Sequence, residues 1–240
     1  MNKKILTIND FSRTQNIAGS LSQIASYQVP QATVIEGLTQ VPLKIKIASY
    51  QQFTGVAANA SFSVTTSYPI APLVNSQSAE PYLNLIAHAY DVTAGKDLGA
   101  PTAINFSTSQ LTFAGNSSAG TSDTIDVFYL STVGSIQIYK QVGTASSTRT
   151  LWLSEALATL NTLDPYNYNS APYFDRPYLA GDLDLILVFV NSPSTIVMNS
   201  LDAPASLPSN VSVGMIDLPF NVYTGVAEIR DLFASYGVKM

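Results

Sequence analysis

Pro42-Leu43-Lys44-Ile45-Lys46-Ile47 alternates without a break, with Leu43, Ile45 and Ile47 pointing one way and the two lysines the other. Side chains two apart share one face of a strand, so this stretch predicts a strand with one buried and one wet face. Runs of the same kind follow. Ser61-Phe62-Ser63-Val64-Thr65-Thr66 alternates with hydroxyls on its polar face, and Thr124 to Leu130, Ser135 to Val142, Thr195 to Met198 and Val211 to Leu218 also read as strands. Leu83 to Val92 sets Leu83, Leu85, Ala87 and Ala89 against Asn84, Ile86, His88 and Tyr90. Asp182 to Val190 begins by alternation and ends apolar on both faces, as a strand does when it passes into a covered core. Clusters such as Pro69-Ile70-Ala71-Pro72 and Pro204 to Asn210 punctuate the runs.

Two segments carry helical spacing instead. Thr148 or a neighbour can cap a helix with Leu153, Ala156, Leu157 and Leu160 on one face, ended by Asp164-Pro165. Val222, Val226, Ile229, Phe233 and Tyr236 repeat near the C-terminus, and Gly237 is a suitable stop. Many short strands with two short helices and no βαβ unit predict an all-β protein, an antiparallel β-sandwich or jelly roll. No repeat of 20–50 residues points to a solenoid or propeller. Residues 1–40 are polar, with Ile17, Leu21 and Ile24 at helical spacing. They read either as an N-terminal assembly arm that orders against something else or as the first strand of the domain with a loose leader. The division expected is an arm at 1–40 and a single sandwich domain at 41–240.

Composition excludes several chemistries. The 240 residues are 46% hydrophobic, enough to bury a sizeable core, and hold no cysteine and one histidine. Disulfides, thiolate metal sites and multi-histidine zinc sites are therefore ruled out. The start, Met1 to Asp10, imitates a signal peptide, but Asn9 and Asp10 end its apolar stretch short of the roughly 7–15 residues of a signal core. Leu185 to Val190 falls far below the ~18–20 apolar residues that cross a bilayer as a helix. The expectation is a protein without signal peptide or transmembrane segment, made in the cytoplasm.

Each candidate for chemistry has a plainer reading beside it. His88 lies mid-strand with no acid at strand spacing, and no Gly-x-Ser-x-Gly elbow occurs, so no catalytic residue is assigned. Asp182 and Asp184 would share a strand face, as half of a glycosidase site or a Ca²⁺ site, but they also suit a polar strand entry that guards an aggregation-prone run. Asp123 and Asp126 have the same standing, and the Asn-x-Ser sequons at Asn59, Asn105, Asn116 and Asn210 carry little weight. No metal or cofactor is expected. The stretch 164–178 says more, because it holds five aromatics among prolines and amides. Tyr166, Tyr168, Tyr173, Phe174 and Tyr178, with Arg176 as polar anchor, have the composition of a recognition loop.

Charged residues make up 11% of the chain, against roughly 25% in an ordinary soluble domain. Ser, Thr, Asn and Gln must then cover the surface, with little repulsion between molecules. Such a surface suits a protein covered by copies of itself, since interface cores are poor in Lys, Glu and Asp. The arm, the strand runs from Pro42 to Leu218 and the long excursion from Gly143 to Ala180 resemble jelly-roll capsid proteins of icosahedral viruses. In particular they resemble the single jelly-roll type of tailless double-stranded DNA viruses, several of which infect thermophiles. The resemblance implies a self-assembling virion subunit, major or minor, with copies of itself and other capsid proteins as partners and an internal membrane beneath the shell. One departure is that residues 1–40 hold only Lys3, Lys4 and Arg13 against Asp10 and Glu36, so no strong nucleic-acid binding is expected. The alternative is a carbohydrate-binding or adhesin module using the 164–178 loop, and a glycosidase using Asp182 or Asp184 comes third.

Overall fold

The computed structural model describes residues 4–8, 12–13, 18–38, 44–57, 61–115, 122–167, 177–181, 183–197 and 214–238. Every strand pairing among them is antiparallel. Two sheets enclose a first core. In one, Met215–Thr224 lies between Lys4–Ile8 and Thr33–Leu38, with Pro177–Ala180 beyond, and also pairs with Lys44–Lys46. The other runs Arg149–Ala156, Ser135–Gln141, Leu185–Asn191, Leu21–Gln28, Ser12–Arg13. Ile35, Leu218 and Phe220 from the first sheet meet Ile138, Val188 and Val190 from the second, all fully buried. Burial of each contributes roughly 1.5–3 kcal/mol.

A second sandwich holds a second core. Its larger sheet runs Thr195–Val197, Ala48–Ala57, Ser122–Leu130, Ala87–Asp91, Lys96–Gly99, and its smaller one Ala103–Asn105, Gln110–Ala114, Ser61–Thr65. Leu111 and Phe113 of the small sheet pack with Ile125, Val127 and Phe128. Apart from Thr195–Val197, the chain enters this sandwich at Ala48 and leaves it at Leu130, and those two residues are paired directly. Buried Asn161 joins the two cores: its Oδ1 accepts the Ile47 N–H at 2.9 Å, and its Nδ2 donates to the carbonyls of Ile47 at 3.0 Å and Ser131 at 2.7 Å. Beside it runs a buried hydroxyl chain, Ser194 donating to Ser49 at 2.7 Å and Ser49 to Ser131 at 3.1 Å.

The all-β, antiparallel class predicted from the sequence holds, and several of its details need correction. An arm separate from the sandwich at 1–40 does not hold for the described residues. Lys4–Ile8 pairs with Met215–Thr224, Leu21–Gln28 sits inside a five-stranded sheet, and Thr33–Leu38 lies between two other strands. Of the expected arm stripe, Ile24 is in the first core, Leu21 is exposed at the strand start, and Ile17 lies outside the described residues. Thr148 to Leu160 is not a helix: Arg149–Ala156 is a strand, followed by one helical turn at Leu157–Leu160. Leu83 to Val92 is likewise split, into a turn of helix at Leu83–Ile86 and the strand Ala87–Asp91. The C-terminal helix is present as Val226–Ser235, but Val222 belongs to the preceding strand and Tyr236 to the cap, where its hydroxyl donates to Glu36. Ile229, Leu232 and Phe233 hold this helix on Val34 and Tyr223.

Gly134 shows how tightly the first sandwich closes. It has φ +122°, and a Cβ placed there would lie 2.6 Å from the Asn191 carbonyl oxygen and 3.0 Å from Leu157 Cδ1. Gly134→Ala therefore combines a backbone clash with a disfavoured φ, and a loss of about 2–4 kcal/mol is expected in chemical denaturation. An unchanged midpoint would contradict this packing.

Candidate functional site

Asp164 stands at the root of the tyrosine-rich stretch, almost fully buried. The turn at Asn75, whose Oδ1 accepts the N–H groups of Gln77 and Ser78, aims Ser76 at it. Asp164 Oδ2 accepts both the Ser76 N–H and the Ser76 hydroxyl at 2.9 Å, and its Oδ1 accepts the Tyr166 N–H at 2.9 Å and the Tyr82 hydroxyl at 3.2 Å. A carboxylate has about four acceptor sites, so this one is filled. Burial alone would raise the Asp164 acid, but the bonds from Ser76, Tyr166 and Tyr82 outweigh it and hold the group below the usual carboxylate range. Burial and the nearby Asp164 charge push the Tyr82 phenol up.

Tyr166 rises from this root, 56% exposed, with its ring edge-on to Tyr82 at 5.7 Å and the Lys44 ammonium 5.3 Å from its centroid. Asn167 donates to the Ser76 hydroxyl. The Tyr166 ring is thus held by Tyr82 and Lys44 while more than half of the residue stays open to solvent. Behind Asp164 lies Lys46, 1% exposed, whose Nζ donates to the carbonyl of Leu160 and, at 2.7 Å, to that of Leu163. These carbonyls lie at the end of the Leu157–Leu160 turn, where no backbone donor follows. Burial pushes the Lys46 amine down to about 7, against the opposing pull of Asp164.

Of the recognition residues read from the sequence, Tyr166 stands in this cluster, and Tyr178 lies in the strand Pro177–Ala180, paired with Thr33–Leu38. Tyr168, Tyr173, Phe174 and Arg176 lie outside the described residues. The sequence reading missed Asp164, which it treated as a helix stop, and Lys46, which it placed on the wet face of its strand. Ser76 and Tyr82 carried no signal, because their role depends on a contact across more than eighty residues.

The other candidates have local roles. His88 does have an acid: its Nε2 is 2.6 Å from Asp97 Oδ1 on the neighbouring strand, and the same oxygen accepts the Gly99 N–H. Asp184 does not alternate along a strand. Leu183 turns the chain at φ +63°, the Asp184 carboxylate accepts the Gly181 N–H at 2.9 Å and pairs with Lys140 at 3.5 Å, and Asp182 lies outside the described residues. Asp126 accepts from the Tyr50 hydroxyl and Gln52 Nε2, both at 2.9 Å, and Asp123 is buried. Asn105 accepts from Ser107 and Thr108 in a turn of its own. Among the described residues no three His, Asp or Glu side chains gather as a metal site, and no helix is long and apolar enough to cross a membrane.

The sequence matches no family model and no curated protein. Solved structures do match. The VP16–VP17 complex, a complex of the two major capsid proteins of bacteriophage P23-77, aligns over 93% of this chain and 99% of that chain, with TM-score 0.67 at 15% identity. The fold is that of phage capsid proteins. VP17, a capsid protein of the same phage, aligns over 93% of this chain and 98% of its own with TM-score 0.65 at 14% identity. A match this long takes in both sandwiches, so the capsid fold here includes the second sandwich as well as the first.

Proposed function

We propose that this chain is a structural virion protein, a major or minor capsid subunit that builds an icosahedral shell through subunit contacts. The observation that carries the reading is end-to-end agreement of fold with phage capsid proteins, over 93% of this chain and nearly all of theirs. The sparse surface charge supports it, because copies can pack without strong repulsion. One of the similar structures is a complex of two capsid proteins, which favours partners of both kinds, copies and a companion chain. The loop 164–178, anchored at Asp164 and presenting Tyr166, is assigned to these contacts. The chain is read as a non-enzyme located in the virion, and an internal membrane beneath the shell is a further expected neighbour.

Light scattering with negative-stain imaging of the purified protein tests the reading. Rings, capsomers or shells are expected, and vesicles added to the same fraction show whether a membrane is recruited. A protein that stays monomeric up to high concentration and binds a sugar through 164–178 would overturn the reading in favour of an adhesin module.

A further inference from the structure

Two ionisable side chains at the loop root are each saturated separately, and only one of them as an ion. Asp164 has four donors for its four acceptor sites and is complete as an anion. Lys46 has two acceptors, the carbonyls of Leu160 and Leu163, inside a site that water does not reach. An uncharged amine has two N–H groups, and the two carbonyls use both of them. An ammonium has three, and the third would be buried without a partner, at a cost. The charged and titratable groups around it are Asp164 on its own loop, Tyr82 and Tyr166 bonded to Asp164, Lys44 on the same strand, and Asp217, which pairs in register with Lys44. Met215 pairs in register with Lys46 itself.

We propose that Lys46 is a proton-operated latch on the chain from Leu160 to Tyr166, closed while its amine is uncharged and loosened when it takes up a proton. The proposal rests on reading Tyr166 as part of a contact surface and adds its regulation. The direction follows from linkage. Opening the root returns the amine to water and to its ordinary value of 10.5, whereas the closed root holds it near 7. Between those values the open form carries a proton that the closed form lacks, so closure strengthens by about tenfold per pH unit as pH rises. Below about 7 both forms are protonated and the gain is gone. A root governed in this way is held most firmly in alkaline surroundings and loosens toward neutrality, and Tyr166 with it.

Hydrogen exchange of the Ser76 and Tyr166 amides, both donors to Asp164, tests this in the full chain between pH 6 and 9.5, corrected for intrinsic exchange. Protection is expected to be flat below about 7 and to rise about tenfold per unit above it, and Lys46→Met is expected to abolish the rise. Parallel curves for the two proteins would overturn the proposal. Because Lys46→Met could fail to fold, the ¹³Cε resonance of Lys46 is followed in the unaltered chain. A midpoint within about one unit of 7 supports the latch, and one near 10.5 overturns it. Both readouts concern the isolated chain, so they stand or fall independently of shell assembly.

Discussion

Asn161→Ala is expected to lower the unfolding free energy by at least about 3 kcal/mol. The side chain is wholly buried and satisfies three backbone groups, the N–H and carbonyl of Ile47 and the carbonyl of Ser131. Removing it leaves all three unpaired in a place water does not enter, at about 1–3 kcal/mol each. Ile47 belongs to the first core and its neighbour Ala48 to the second, so the damage falls where the two meet. Guanidinium denaturation of the variant beside the parent measures it. A loss below about 1 kcal/mol would mean that the side chain does not hold the junction.

Asp164→Asn is expected to cost about 2–4 kcal/mol, although it changes one atom. Each carboxylate oxygen accepts one backbone N–H, from Ser76 or from Tyr166, together with one hydroxyl. A hydroxyl can rotate away from an amide NH₂, but a backbone N–H cannot, so one buried donor faces another whichever way the amide turns. The pH dependence has a definite sign. The folded-state acid lies below its ordinary value near 3.9, so its contribution is present above that value and is lost as pH falls through the lower folded one. The parent should therefore lose stability faster than the variant between pH 5 and pH 2, and the gap between them should narrow. Parallel acid curves would contradict the assignment.

Some strands that alternate were legible in the sequence, others such as Ala48–Ala57 and Gln110–Ala114 were not read, and several that carry an extra residue misled. Ser61–Thr65 and Ser135–Gln141 keep a period of two and were found. Leu21–Gln28, Thr33–Leu38 and Arg149–Ala156 each have a register shift against a neighbour, at Ile24, Glu36 and Trp152. A bulge places two consecutive side chains on one face. Ile24 and Ala25 are both buried, as are Trp152 and Leu153, with Trp152 packed against Phe220 at 5.4 Å. The expected helix stripe Leu153, Ala156, Leu157 and Leu160 runs from the end of one strand into the helical turn Leu157–Leu160, so a helical period appears where strand meets turn. The site was legible in part. Tyrosines among prolines and amides marked the loop, but the clamp that holds it is made by Asp164 reaching Ser76 and Tyr82. No local pattern records such a pairing. Lys46 misled for a related reason: alternation correctly put it opposite Ile45 and Ile47, but the loop root covers that face too.

The direct pairing of Ala48 with Leu130 gives the second sandwich the character of a cassette. Residues 48–130 leave and rejoin the host strands at adjacent points, so the host sees a short closure at that place, whatever its length. A tight turn from Ile47 to Ser131 would complete the first sandwich, at the expense of the partner that Thr195–Val197 finds in Ala48–Tyr50. Removing the cassette would also take away Ser76 and Tyr82, so an engineer who puts cargo there while keeping Asn161 to seal the splice must give Asp164 new donors.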